Sequence, residues 1–405
     1  MQISEFRPDV QALLNETVEW TKFLPADPRD ALLQSGESFT VYRTLTDLLD
    51  LPPTHPDVET AHKAVLEDAS VCQFIANLSD WETTIVTGHN QPTYLANQLW
   101  LLLDWGVRPG DHPRVAEECR KILAHQDPTT GQFLAYSKGW RSDQVVWTST
   151  LCDHNLLTSV LLLAGFGADE RTQRGLARMS ELLVDTSQGI GWKCVPGLGT
   201  KFRGPGRVDD VCPMAVVDAL RGYWILEEGK RPPSLIAAGQ TLLDCWTRRG
   251  EYKPYMFGHG RNFRKPRPPF VWYNIGTVLD SASHYPALVA TSAFRELLAV
   301  TTLTFNAKGM VTPASIMQFY RDFSFGQKKT PSPWETLFLA RIFKRAAQAD
   351  PTILAAVKQL DGNNYRGSFG GPSPKKIETG KPNATRKKAR KAAKKSPAKW
   401  WKSKN

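Results

Sequence analysis

A period of about 60 residues runs through most of the chain. Five repeat starts each precede an apolar stretch of helical character, and three of them are followed by proline, which the first turn of a helix tolerates. Glycines recur with the same period elsewhere in the repeat. The two series are Gln91, Cys152, Cys212, Trp272 and Ser332, and Gly131, Gly191, Gly250 and Gly309. Two series that share one period predict repeated structure.

Each repeat divides into two predicted helices, the first apolar on much of its surface and the second with a single apolar stripe. The first helices are predicted at 41–49, 93–103, 153–164, 214–226, 273–283 and 334–344, and the second at 56–76, 113–125, 170–184, 233–246, 286–301 and 351–360. A helix that is apolar nearly all round has to be enclosed, and a helix with one apolar stripe can enclose it.

This pattern predicts an all-α fold, an α/α toroid of six helical hairpins whose parallel inner helices form a barrel ringed by outer helices. An open solenoid is the alternative, although linear arrays usually have shorter repeats. In a toroid the inner helices present their N-termini at one mouth, where unpaired N–H groups and helix dipoles favour an anion.

Positive charge is concentrated at the end of the chain. The segment 375–405 holds 13 of the 51 Lys and Arg residues and one of the 40 Asp and Glu residues, a net charge of +12, so 38 basic and 39 acidic residues precede it. Its low apolar content predicts disorder. We therefore divide the chain into an N-terminal extension (1–36), a toroid domain (37–362) and a disordered Lys-rich tail (363–405).

The remaining composition favours a cytoplasmic protein. No run approaches 18 apolar residues, so no transmembrane segment is predicted, and the first residues lack the pattern of a signal peptide. The six cysteines have no CxxC spacing, which favours free thiols over a disulfide framework.

Two stretches, QDPTTGQF (126–133) and SQGIGW (187–192), resemble the Gln-to-Gly-Trp repeat of squalene cyclases and protein prenyltransferases. LLLAGFGADERTQRGL (161–176) and GWKC (191–194) look like the helix linker and turn of that superfamily. PSPWETLFLARIFKR (331–345) is similar to the closing repeat of bacterial prenyltransferase-repeat proteins without assigned activity. The resemblance spans about residues 40–345 and implies an α/α toroid with a central cavity.

The catalytic signatures of that superfamily are incomplete. The protonating motif Asp-x-Asp-Asp lacks its first residue, because Arg207 precedes Val208, Asp209 and Asp210. The magnesium motif Asp-Asp-x-x-Asp has Pro213 in its last place. The zinc motif Asp-x-Cys matches at Asp210 and Cys212, but Tyr273 and Asn274 stand where the family carries its zinc His.

A different ligand set comes from the repeat starts. If neighbouring inner helices lie ~10 Å apart, Cys152, Asp153 and His154 approach Asp210 and Cys212. Two Cys, one His and one Asp suit zinc, so Cys152, His154, Asp210 and Cys212 are candidate ligands. The same residues can instead be buried thiols, a helix cap and a hydrogen-bonded imidazole, and Cys212 can be a thiolate at a helix N-terminus.

Basic loops with aromatic residues precede three inner helices, at 136–144, 200–210 and 252–274. Cations beside aromatic rings suit an anion attached to an apolar group, although solvated cations and packed aromatics explain the same pattern. The predicted ligand-binding residues are Arg203, Arg207, His259, Arg261, Arg264, Tyr273, Asn274 and His89.

The sequence thus predicts a toroid that binds an apolar or isoprenoid-like ligand, with or without a diphosphate, in a central cavity. As an enzyme it would be a transferase or lyase that uses Asp210, Cys212, His154 and Asp153, with zinc as the candidate cofactor. The alternative is a non-catalytic binding or scaffold protein. The tail can attach to nucleic acid or to an anionic membrane surface, or simply raise solubility.

Overall fold

The structure, a computed structural model, describes residues 2–138, 144–149, 151–193, 209–252 and 262–360. These residues are predominantly helical, which confirms the helical class. The helices are α1 Pro8–Asn15, α2 Arg29–Leu33, α3 Ser38–Asp47, α4 Pro56–Glu67, α5 Ala69–Ala76, α6 Leu95–Trp105, α7 Pro113–Ala124, α8 Leu151–Leu163, α9 Glu170–Glu181, α10 Pro213–Tyr223, α11 Leu235–Thr247, α12 Arg249–Tyr252, α13 Ile275–Ser283, α14 Pro286–Val289, α15 Ser292–Thr302, α16 Pro333–Ala349 and α17 Ile353–Lys358. Short 3-10 turns occupy Ile3–Glu5, Glu19–Phe23, Glu228–Lys230, Gln318–Tyr320 and Ser324–Gly326.

Two short antiparallel hairpins, which the sequence analysis did not predict, interrupt the helical order. Strand β1 (Ala135–Lys138) pairs with β2 (Val145–Thr148), and β3 (Val184–Thr186) pairs with β4 (Gly189–Gly191). Each hairpin follows an outer helix and precedes the next inner helix. Pairing satisfies backbone groups that would otherwise need water, and strands of three or four residues carry too little alternation to be detected from sequence.

Helix starts follow local chemistry. Proline occupies the first turn of α4, α7, α10, α14 and α16, as the missing N–H there costs no hydrogen bond. Before α16 the Ser332 side chain accepts a hydrogen bond from the Glu335 N–H at 3.1 Å. Before α9 the Asp169 side chain accepts one from Arg171 at 2.9 Å. The predicted repeat start at Ser332 is therefore a helix cap, and that at Cys212 is the residue directly before α10.

The predicted inner helices contact one another in chain order. Helix α3 packs against α6, α6 against α8, α8 against α10, α10 against α13 and α13 against α16, and α16 also packs against α3. The contact between α8 and α10 is very close at two points. The backbone of Gly222 in α10 meets Ser159 in α8, whose Oγ would lie 2.1 Å from an added Cβ. Ser159 Oγ also donates to the carbonyl of Asp218 at 2.7 Å.

The predicted outer helices cover this set. Helix α4 packs on α3, α9 on α8, α11 on α10 and α15 on α13. The residues predicted as an N-terminal extension (1–36) form α1 and α2 within the same compact unit, 1–368. There the buried Arg29 donates to the carbonyl oxygens of Leu13 at 2.9 Å and Glu16 at 2.6 Å.

The predicted tail (363–405) lies outside the described residues. Within the described part of the chain, no helix combines the length and the hydrophobicity that a membrane crossing requires.

Candidate functional site

Several predicted site residues lie where inner helices begin. Cys152 and Asp153 belong to the first turn of α8, Cys212 directly precedes α10, and Asn274 directly precedes α13. His89 lies in the loop before α6. The repeat period therefore located the starts of these helices correctly.

A buried hydrogen-bonded group joins the start of α8 to the loop before α6. His89 Nδ1 lies 2.6 Å from Asp153 Oδ1, and the Tyr94 hydroxyl donates to the same carboxylate oxygen at 3.0 Å. The Asn97 amide donates to the carbonyl of His89 at 2.8 Å and holds this loop against α6. Asp153 and Tyr94 are each only 2% exposed. The carboxylate is therefore held by two donors from one neighbouring segment.

This group keeps His89 positively charged. Burial lowers the pKa of His89, but the charges of Asp153 and Cys152 and the hydrogen bond to Asp153 outweigh burial and raise the pKa to about 10. At neutral pH the imidazole is therefore an imidazolium, paired with the Asp153 carboxylate. We call His89, Tyr94, Cys152, Asp153 and Asp218 the interior polar cluster.

Asp218, the fifth member, was not predicted from sequence. It lies in α10, is 1% exposed, and its Oδ1 has no hydrogen-bond partner among the described residues. Burial raises the pKa of Asp218 well above its usual value; the charges of Cys152 and Asp153 act in the same direction, and those of Arg221 and His89 oppose it. Burial therefore favours the neutral form of the Asp218 carboxyl, whereas the charged form of His89 is favoured. Environments that drive neighbouring titratable groups in opposite directions are typical of acid–base sites.

His154 does not join this cluster. Its Nδ1 accepts a hydrogen bond from the Phe133 N–H at 3.2 Å, and its Nε2 lies 3.1 Å from the carbonyl of Gly175, to which it donates. Burial lowers the pKa of His154 to about 4, so the ring is neutral. With both nitrogens bonded to backbone, the ring has no lone pair for zinc.

The zinc set predicted from sequence therefore does not fit the structure. In the part of the chain that the structure describes, no group of three or more His, Cys, Asp and Glu side chains could hold a metal ion. Asp210 instead accepts a hydrogen bond from the Gln188 amide at 2.9 Å, and Gln188 Oε1 accepts one from the Val211 N–H at 2.8 Å. This pair anchors the β3–β4 hairpin to the segment before α10. Cys212 is 4% exposed.

Asn274 and Tyr273, both predicted to bind ligand, lie in the buried segment at the start of α13. Asn274 caps α13, because its Oδ1 accepts from the Gly276 N–H at 2.8 Å and its amide donates to the carbonyl of Trp272 at 2.7 Å. Tyr273 is buried, and burial first and then the charges of Cys245 and Cys212 raise its pKa well above its usual value. Arg264 is half-buried in the turn after residue 261. The other predicted ligand-binding residues, Arg203, Arg207, His259 and Arg261, lie outside the described residues.

A second polar site lies at the opposite ends of the predicted inner helices; the sequence predicted a central cavity but not this charged lining. An open cavity of about 1020 Å³, which includes solvent at its mouth, is lined by the C-terminal parts of all six predicted inner helices or the residues that follow them. We call it the central cavity. Of the described residues, six cationic side chains and four carboxylates line it: Arg43, Arg108, Arg221, Arg341, Lys344 and Arg345, and Asp47, Asp50, Asp104 and Asp280.

Ion pairs tie the helices together around this cavity. Arg341 of α16 donates to both oxygens of Asp104 at 2.8 and 3.1 Å and to Asp47 at 3.1 Å. Asp280 of α13 accepts from Arg345 at 2.6 Å and from Arg221 at 3.3 Å. Charged groups around the cavity are therefore compensated across helices, and Arg43 and Asp47 also pair within α3 at 3.1 Å.

A signal for the cavity was present in the sequence. Asp104, Arg221, Asp280 and Arg341 follow the same period of about 60 residues, one helix length after the repeat starts. These charged positions interrupt otherwise apolar helices. Charged residues that recur at the same position of successive buried repeats predict a polar centre. The predictions above rested only on the positions of the helix starts.

Comparisons with protein-family models, with curated proteins and with solved structures return no match for this chain.

Proposed function

We propose that the chain is an α/α toroid that binds an apolar ligand in its interior and transfers a proton to it from Asp218. The closed order of helix contacts, in which α16 returns to α3, supports the toroid over an open solenoid. The cavity that all six predicted inner helices line supports parallel helices, because their C-terminal parts meet at one mouth. The resemblance to squalene cyclases and prenyltransferases agrees with this arrangement.

The proton-transfer role rests on one observation, a buried carboxyl group without a hydrogen-bond partner at Oδ1 beside a His–Asp ion pair. A protonated carboxyl in apolar surroundings is a general acid. Transfer of its proton would leave a carboxylate, which the positive charges of His89 and Arg221 would stabilise. Asp153 and Tyr94 have a positioning role in this scheme, since they hold His89 in place.

Asp218 is buried and is not among the residues that line the central cavity, so the proposal requires a ligand that reaches it from the cavity along α10. Arg221, which lines the central cavity, follows Asp218 by three residues, a rise of about 4.5 Å along the helix. A ligand that extends past Arg221 and Trp100 into the interior would bring its apolar end toward the acid. The reaction class is therefore protonation of an alkene or a similar apolar centre, as in a lyase or cyclase.

Deuterium transfer tests this proposal. The protein is incubated in D₂O with squalene or geranylgeranyl diphosphate as the probe, and deuterium in the probe is measured by mass spectrometry. We expect incorporation with the wild type, none with Asp218→Asn, and an unchanged rate with Asp185→Asn, an exposed carboxylate in β3. Equal deuterium incorporation with the wild type and with Asp218→Asn would refute the role of Asp218 as the proton donor.

A second measurement does not depend on the substrate. Because the pKa of Asp218 is raised in the folded state, the unfolded carboxyl ionises first, near pH 4, and the wild type loses stability as pH rises above that value. Asp218→Asn removes this loss, so its stability relative to wild type should increase between pH 4.5 and 7.5. Urea unfolding at both pH values measures it, and a constant difference would contradict a protonated Asp218.

The non-catalytic alternative has a clear signature. A probe that is retained in native mass spectrometry but never gains deuterium would identify a binding or scaffold protein. Binding of the 375–405 segment to nucleic acid or to an anionic membrane, and a cytoplasmic location, remain predictions from sequence.

A further inference from the structure

The central cavity has an excess of positive charge that is concentrated near Asp280. That carboxylate lies between two guanidinium groups from different helices, Arg221 Nε at 3.3 Å and Arg345 Nη2 at 2.6 Å. One negative charge thus faces two positive charges. Around Asp47 and Asp104, by contrast, the two carboxylates balance Arg43 and Arg341.

Helix ends account for some of the other cations in the cavity. The C-terminal ends of helices carry partial negative charge and unpaired carbonyl groups. Arg108 donates to the carbonyl of Leu103 at 2.5 Å, and Lys344 donates to that of Asp47 at 2.8 Å, so these two side chains cap α6 and α3. Arg345 instead donates to Asp280 and, at 2.8 Å, to the Ser283 hydroxyl.

A neighbouring histidine reports the electrostatic potential of this region. His284 stacks on Trp224 with ring centroids 4.2 Å apart and lines the cavity. Burial and then the positive charges of Arg345, Arg221 and Arg341 hold its pKa well below the usual value. The arginines thus add to the larger effect of burial, which indicates a positive potential at this point despite the helix dipoles.

Apolar surface lies directly beside the excess charge. The Arg221 guanidinium lies 4.2 Å over the Trp100 ring, and Phe338 and Leu163 also line the cavity. The Arg345 side chain keeps 23% of its surface exposed, so solvent reaches this part of the cavity.

From this arrangement we infer that the central cavity is an anion-binding site for the phosphate or diphosphate group of an apolar ligand, held by Arg221 and Arg345. Guanidinium groups bind such oxygens through paired N–H donors, and the anion would share these donors with Asp280. The apolar part would lie against Trp100 and Phe338. The site is at the C-terminal ends of the inner helices, opposite to the mouth predicted from helix dipoles, and it does not depend on proton transfer by Asp218.

Calorimetric titration of the full chain with inorganic diphosphate at low ionic strength tests the site. Arg345→Gln should weaken diphosphate binding about tenfold, because a charge-assisted hydrogen bond is lost. Asp280→Asn should change binding in the opposite direction, since it removes the carboxylate that competes with the anion. The matched control is Arg295→Gln, which breaks a pair with Asp350 outside the cavity and should leave the affinity unchanged.

Two results would overturn the inference. Absence of diphosphate binding by the folded wild type would exclude the site. Binding that Arg345→Gln and Asp280→Asn both leave unchanged would place the anion elsewhere, most simply on the basic 375–405 segment. A comparison of phenyl phosphate with inorganic phosphate measures the apolar contribution to affinity. Phenyl phosphate should bind more tightly only if its ring contacts Trp100 and Phe338. Equal affinities would refute that part of the inference.

Discussion

Arg341 joins the first, second and last inner helices, and its removal should destabilise the fold strongly. Its guanidinium bonds both oxygens of Asp104 in α6 and one oxygen of Asp47 in α3, residues 237 and 294 positions away in sequence. It also lies 5.2 Å over the Trp334 ring. The side chain is 6% exposed, so substitution by Met keeps much of the volume while it leaves two carboxylates without this partner.

The expected magnitude follows from burial. Removal of one partner from a fully buried ion pair costs about 3–5 kcal/mol. Here Asp47 and Asp104 keep 18% and 17% exposure, and Asp47 keeps Arg43 at 3.1 Å. We therefore expect Arg341→Met to lower the free energy of unfolding by about 3 kcal/mol, at the lower end of that range.

Urea unfolding followed by tryptophan fluorescence and by circular dichroism measures this change. The double variant Arg341→Met, Asp104→Asn should recover part of the lost unfolding free energy, because it also removes the Asp104 carboxylate that Arg341→Met leaves without its partner. Arg295→Met, whose pair with Asp350 is more exposed, should cost at most about 1 kcal/mol. A loss below about 1 kcal/mol for Arg341→Met, or no recovery in the double variant, would refute the view that this ion pair closes the ring of helices.

Three further predictions concern single residues. The pKa of His89 is raised to about 10, so its contribution to stability is complete below about pH 6.5 and is lost as pH rises toward 10; His89→Gln should unfold with less dependence on alkaline pH in urea titrations. The pKa of His154 is lowered to about 4, so its contribution is lost as pH falls from about 6.5 toward 4, and His154→Leu should lower stability by roughly 2 kcal/mol at pH 7 without any change in zinc content by mass spectrometry. A zinc loss in that variant would contradict the backbone role of the ring. Gly222→Ala should lower the melting temperature, since its Cβ would overlap Ser159, and Gly222→Ala combined with Ser159→Gly should recover most of the loss.

Local chemistry made the helices predictable. Proline and capping residues at repeat starts mark helix N-termini because they satisfy or remove the unpaired N–H groups there, and these signals need no tertiary contact. The predicted helix at 214–226 corresponds to Pro213–Tyr223, and that at 153–164 corresponds to Leu151–Leu163. The β hairpins escaped prediction because their strands are short and gain pairing only when the flanking helices hold them.

The roles of polar residues were less predictable, because one residue type can have several structural or chemical roles. Asn274 at a repeat start is a helix cap, and His154 bridges two backbone groups, although both had been candidates for ligand binding or metal. Asp218 was not predicted as a site residue, yet its burial in α10 raises its pKa well above the usual value. Whether such a residue caps a helix, bridges two backbone groups or acts as an acid depends on the residues that lie close to it in space.

By itself the sequence determined the helical class and where several helices begin, since these depend on residues within a few positions of each other. The tertiary structure decided where charge is compensated. Asp47, Asp104 and Arg341 meet although hundreds of positions separate them, and Arg221 meets Arg345 across Asp280. Electrostatic interactions depend on distance in space, so the interior polar cluster and the central cavity could be located only after the helices were assembled.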